Sequence, residues 1–214
     1  MIYDAVQDSE PIRQGDIFIS LPRVDLDLGS LLVAGERGAE LHNWADIEAG
    51  GDGVSLLLQA RPVAAIVISQ DCDAGRAEDV SLCEIRPFHS VERRAADQAD
   101  KPKKWVSLVT QHARMNQKWF YLPRDDNYRI TERMAVDFRV VLQLGVRGLE
   151  SVRASNRVGR LNNVAGEHFR ERLAEFFRRY AYDEWYPLER DEFAHYVATH
   201  QAEDVQPFPW QNQQ

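Results

Sequence analysis

One stretch limits what this chain can become: Arg61-Pro-Val-Ala-Ala-Ile-Val-Ile-Ser-Gln-Asp-Cys-Asp-Ala-Gly75. Val63 to Ile68 is unbroken apolar sequence, rich in β-branched residues and closed by turn formers. A run of this length and composition reads as a strand buried on both faces. Ser69, Gln70, Asp71, Cys72 and Asp73 then arrive together, and Gly75 ends the element. Polar groups crowded at the end of a rigid strand are held where a site can be built. Ser69, Gln70, Asp71 and Asp73 are therefore candidate binding residues, and Cys72 is a candidate nucleophile.

The 214 residues suit one elaborated domain, or a small domain with an appended one. A net charge of -8 argues against a broad basic surface for a phosphate backbone and leaves room only for a local basic patch. Cys72 and Cys83 are too few for a disulfide framework and fit reduced thiols in a cytosolic protein. The start carries Asp4, Asp8 and Glu10 where a signal peptide needs a basic start and an apolar core. No run approaches the ~18 apolar residues of a membrane span. A cytoplasmic protein with no membrane contact is expected.

Strands are predicted over 15–22, 54–59, 63–69, 80–88, 118–123 and 134–144, with residues 1–14 as a lead-in arm. In 80–88, Val80, Leu82 and Glu84 face one way, while Ser81, Cys83 and Ile85 face the other. Residues 25–53 read as a long excursion that Trp44 pins down. A short helix is predicted over 106–116. Beyond about residue 150 the period changes. Asn162 and Asn163 are placed to cap a helix, and Ala165, Phe169, Leu173, Phe176, Phe177 and Tyr180 make its apolar stripe. A second short helix is predicted over 190–200, before an irregular tail. The fold class that results is α+β. Residues 1–150 form a mostly antiparallel small β-barrel domain with long insertions, and residues 151–214 a helical extension and tail.

Each candidate has a plain structural reading as well. Asp71 and Asp73 disfavour a thiolate at Cys72, so a buried, inert turn cysteine is the simpler reading; Arg61, Arg86 or His89 would have to activate it through the fold. Asp71, Cys72, Asp73, Cys83 and His89 match no compact zinc spacing, and no metal or cofactor is expected. Arg61 and Arg86 each precede a proline. An arginine at a strand end can hold a phosphate bidentately, or it can pair with Asp16, Asp71 or Asp73 as a structural salt bridge. The charged stretch 91–104 reads as a solvated loop, and Trp119, Phe120 and Tyr121 as core rather than a stacking platform for RNA. His168 and His195 read as surface residues. No Walker, Gly-x-Gly-x-x-Gly, His-Glu-x-x-His or Gly-x-Ser-x-Gly motif occurs.

Gly15-Asp16-Ile17-Phe18, Arg61-Pro62-Val63 with the run to Ser69, and the strand over 80–86 together resemble the PemK/MazF-type toxins. The resemblance covers well under half of the chain. It implies an SH3-like small barrel. In members that cut RNA it also implies an arginine at the position of Arg61, with a threonine or serine at the end of the following strand. Here that strand ends Ile85-Arg86-Pro87-Phe88, and Ser90 comes late. The excursion before Arg61 and residues 100–214 also have no counterpart in the compact toxins. The chain is similar, too, to a recurring bacterial type with a Gly-Asp-Ile-Phe strand, a Ser-Gln-Asp-Cys-Asp turn and a C-terminal Phe-Phe-Arg helix. These resemblances imply a binding or regulatory module of a toxin-antitoxin-like or defence-type system. Its partner would be a protein first and RNA second, with self-association left open. The alternatives are a metal-independent endoribonuclease using Arg61 and Arg86, and a thiol enzyme using Cys72.

Overall fold

A computed structural model describes residues 2–36, 38–74, 76–111 and 118–178, with 194, 195 and 198. The chain divides into two compact units, 1–177 and 178–214, and every element named below lies in the first. In chain order these are β1 (Tyr3–Asp4), β2 (Asp16–Val24), β3 (Leu31–Gly35), β4 (Gly38–His42), α1 (Trp44–Gly50), β5 (Leu56–Leu57) and β6 (Ala60–Val67). Then follow α2 (Asp71–Ala74), β7 (Asp79–Pro87), α3 (Phe88–Val91), α4 (Arg94–Gln98), α5 (Pro102–Gln111), β8 (Trp119–Leu122) and β9 (Met134–Gly145). The last are α6 (Val146–Ser151), α7 (Arg153–Asn156), β10 (Arg157–Leu161) and α8 (Asn163–Phe177). The predicted helix over 190–200 and the tail lie outside the described residues, apart from the helical positions 194, 195 and 198.

The fold is α+β and antiparallel. Seven strands form one sheet in the order β1-β10-β2-β6-β7-β9-β8, and β4-β3-β5 form a second, smaller sheet. The main sheet is not closed into a barrel: β1 and β8 are its two edges, with no ladder between them. The edges communicate through side chains instead. The Tyr3 hydroxyl donates to the Pro123 carbonyl at 2.7 Å, and the Tyr3 ring lies 5.3 Å from that of Tyr128.

β6 lies mid-sheet, and its apolar run faces a core on each side. Ile66 packs with Ile17, Cys83, Ile85, Phe138 and Phe169. Val63, Ala65 and Val67 pack with Phe18, Leu21, Val80 and Leu82 on the other face. The two-faced reading of β7 holds, with both faces buried. α8 covers the first core with Phe169, while Phe177 at its end is exposed. Asn162 caps it, its Oδ1 accepting from the Ala165 amide at 2.9 Å.

Three expectations are corrected. The strand over 54–59 shrinks to two residues and joins the small sheet. The charged stretch 91–104 is not a loop. It folds into short helices that bury Ala95 and Leu108 around Phe88 and Trp119, and Tyr121 packs on this third core while Phe120 stacks on Phe169. Arg157–Leu161 belongs to no helical extension: it is a strand inserted between β1 and β2. The change of period near residue 155 therefore does not mark the end of the sheet. Among the described residues no helix is long and apolar enough to cross a membrane.

Candidate functional site

The sequence candidates fall into two groups at opposite ends of β6. Arg61 stands near its start, and the turn at Ser69–Asp73 follows its end. Six residues of strand at ~3.3 Å each put about 20 Å between them, so they do not make one site.

At the first end, register sets Arg23 opposite Arg61, and Ala65 opposite Glu84. Alternation then places Arg23, Arg61, Glu84 and Arg86 on one face. Glu84 is buried. Arg61 donates to both of its oxygens, at 3.1 and 3.4 Å, and Arg23 pairs with it as well. Asp25 accepts from Arg23 at 2.8 Å and from Arg61 at 3.4 Å; the Arg23 hydrogen bond, foremost, holds its carboxyl below the usual range. Arg86 donates to the buried Asp137 at 3.4 Å, and Arg139 grips the same carboxylate with two bonds of 2.8 Å. Burial pushes the Asp137 pKa up, but the Arg139 fork, its backbone N–H and the Arg86 charge outweigh that and leave it lowered.

The salt-bridge reading of Arg61 and Arg86 is the one found, with different partners from those expected. Asp16 is taken by Arg157 at 3.1 Å and by Arg160 at 3.2 Å, and Asp71 and Asp73 lie at the far end of β6. Asp16, Glu84 and Asp137, the buried acids of the described residues, thus each meet two arginines. A carboxylate taken out of water needs such pairing.

At the other end, the turn is tied to the chain before β2. Asp71 Oδ1 accepts from the Gln14 amide at 2.8 Å, and Gln14 Nε2 donates to the Ile68 carbonyl at 2.7 Å. Ser69 Oγ accepts from the Ser81 amide at 2.9 Å, which makes Ser69 a structural link to β7. The Asp73 amide closes the turn on the Gln70 carbonyl at 2.9 Å.

Cys72 is exposed, which overturns the buried reading: α2 is a single turn that carries the thiol outward rather than into the sheet. Its S–H faces Asp73 Oδ1 at 3.6 Å and Gln70 Oε1 at 3.8 Å. It opens into a cleft of about 640 Å³. Gln70, Asp71 and Cys72 form one wall; Arg170, Leu173 and Phe177 of α8 form the other.

No protein-family model and no curated protein matches this chain.

The site's chemistry therefore has to be read from its own side chains. The Cys72 thiol is flanked by the Asp73 carboxylate, and the described residues lining its cleft include no histidine. Among the described residues no three His, Cys, Asp or Glu side chains converge as metal ligands. Cys83 lies in the core, where burial, then the Asp137 charge, pushes its thiol up to about 12. His89 lines a separate hollow of about 480 Å³, where the Arg133 guanidinium sits 4.1 Å over the Trp105 ring.

Sequence reasoning missed Gln14, Arg23, Arg139 and Arg170. Glu84 and Asp137 did leave a signal: each is a lone acid inside an apolar strand, and such an acid demands a cation nearby. Which arginine answers depends on strand register, which the sequence does not print.

Proposed function

We propose that this chain is a non-catalytic binding module of a bacterial toxin-like or defence-type system, acting in the cytoplasm. Its cleft between the Gln70–Cys72 turn and α8 takes a segment of a partner protein. The cleft at the turn carries this reading. Its walls alternate apolar surface from Ile68, Leu173 and Phe177 with the hydrogen-bonding groups of Gln14, Gln70, Asp71 and Arg170. Sites that hold peptides combine such surface with a few fixed polar groups. One guanidinium beside one carboxylate is poor provision for a phosphate backbone, which asks for several cations.

The arrangement of strands supports a relationship to the PemK/MazF small barrels. Gly15-Asp16-Ile17-Phe18 leads into β2, Arg61-Pro62-Val63 lies on β6, and β7 follows; these strands are neighbours in the sheet. The hydroxyl that RNA-cutting members place after Arg61 has no counterpart at Ile85-Arg86-Pro87, and Ser90 lies in α3. Arg61 and Arg86 are both engaged by carboxylates.

A second reading, an endoribonuclease using Arg61 and Arg86, is favoured by one observation. Arg61, Arg86 and Arg139 keep part of their side-chain surface in solvent beside Glu84 and Asp137. Incubation of the protein with single-stranded RNA separates the two. Intact RNA is the expected result. Cleavage that disappears in a folded Arg61→Ala variant would establish the nuclease and displace the binding module.

A further inference from the structure

The excursion between β2 and β6 builds a sheet with very little behind it. From residue 25 to residue 60 the only buried described residue is Leu31, and α1 buries none. Nine of the thirteen exposed large hydrophobic residues among the described ones fall between Val24 and Leu58. They are not scattered. Leu41 of β4 and Leu57 of β5 both stand opposite Leu32 of β3. Opposed residues share a face and lie ~5 Å apart, so the three form a continuous apolar row. Leu41 is 67%, Leu57 53% and Leu32 39% exposed. The Ala34–Ala39 pair extends the same face, whereas Leu31 points to the other. Single surface leucines are ordinary; a joined row on a sheet face marks an interface.

Charge decides what fits there. The same stretch holds seven acids and one arginine, or -6 of the chain's -8. All seven acids are exposed. A second copy of this face would bring like charge against like, and an anionic membrane would be repelled in the same way.

We propose that the Leu41–Leu32–Leu57 face docks a basic, amphipathic segment of a partner protein. Apolar side chains of that segment cover the leucine row, and its lysines or arginines meet exposed acids of the same stretch. This is the helix-on-apolar-surface mode of recognition, with charge setting the choice of partner. It rests on residues outside the cleft and does not depend on what the cleft binds.

The test uses the full chain and two synthetic probes, an amphipathic Leu/Lys helical peptide and its Leu/Glu counterpart, titrated by fluorescence anisotropy. The Leu/Lys peptide binds one-to-one and saturably, and the Leu/Glu peptide does not bind. A Leu41→Ser/Leu57→Ser variant with an unchanged melting temperature weakens binding roughly tenfold. A Glu36→Gln/Glu48→Gln/Asp52→Asn variant weakens it as well, as does salt that shortens the Debye length below ~10 Å. Equal binding by the leucine variant, or by the acidic peptide, overturns the proposal. So does concentration-dependent self-association that the leucine variant abolishes, or binding of the protein to anionic lipid vesicles.

Discussion

Arg61 Nη1 donates to Glu84 Oε1 at 3.1 Å, so the arginine that a phosphate would need is already held by a buried carboxylate. The pair is asymmetric: the Glu84 side chain is 4% exposed and that of Arg61 49%. Water screens the arginine, and Arg23 stays with Glu84 when Arg61 is removed. Arg61→Ala should therefore cost less than about 1 kcal/mol. Arg157, 2% exposed against the fully buried Asp16, is the opposite case. Arg157→Ala leaves Asp16 to Arg160 alone, removes the bonds to the Pro11 and Gln7 carbonyls and empties a buried space, so it should cost more, about 3 kcal/mol. Urea denaturation of the two variants checks the order; equal losses would mean that burial does not set the strength of these pairs.

Asp137 makes the fold acid-sensitive. Its pKa is lowered in the folded chain, whereas an unfolded aspartate titrates near ~3.9. The unfolded chain therefore takes up the proton first. The stability is fully present above ~pH 4 and drains away as pH falls through the lowered folded value. Asp137→Asn should be less stable at neutral pH and should show a flatter decline on the acid side. Thermal melts between about pH 2 and pH 7 read both effects. A variant with the parent's acid slope would remove Asp137 as the cause.

The two thiols should behave oppositely. Cys83 is buried with its pKa at about 12, and Cys72 is exposed at the cleft. One equivalent of alkylating reagent should react with the folded protein at neutral pH, on Cys72, and the second only on unfolding. The Cys83 shift also has a stability sign. Unfolded thiols ionise near ~8.5 while Cys83 stays neutral, so stability should fall as pH rises from ~8.5 towards the folded value. Peptide mapping that finds Cys83 labelled in the folded chain would contradict its placement.

How far the sequence could be read follows from which features are local. β6, β7, β9 and the stripe of α8 were legible because burial writes itself into period-two and 3.6-residue patterns. The turn at Gln70–Asp73 was legible as a turn because polar residues ended an apolar run. What stayed hidden was pairing over distance. Nothing near Arg157 announces that it enters the sheet between β1 and β2, 139 residues from Phe18, to reach Asp16, 141 residues away. The helices α3 and α4 were hidden as well, because their charge masked the few residues, such as Phe88 and Ala95, that they bury, whereas α5 overlaps the helix read over 106–116.

The inserted strand β10 carries its own test. A Cβ at Gly159 would lie 2.4 Å from Tyr128 Cδ1 and 3.1 Å from the Asp4 carbonyl oxygen. Gly159→Ala should force the Tyr128 ring away from Tyr3 and lower stability by about 1–3 kcal/mol. Chemical denaturation measures it, and Gly166→Ala, with open space at its Cβ, is the control. Equal effects would show that β10 is not packed against Tyr128.

Cys72 offers the most direct test of the cleft, because it is the exposed thiol among the described residues and lies on the cleft wall. A photo-crosslinker attached to Cys72 of the full chain, activated in lysate of the source cells, reports what occupies the cleft. Binding of a partner segment predicts a discrete protein adduct that is lost when Leu173→Arg fills the opposite wall. RNA adducts alone, or protein adducts that Leu173→Arg leaves unchanged, would contradict it.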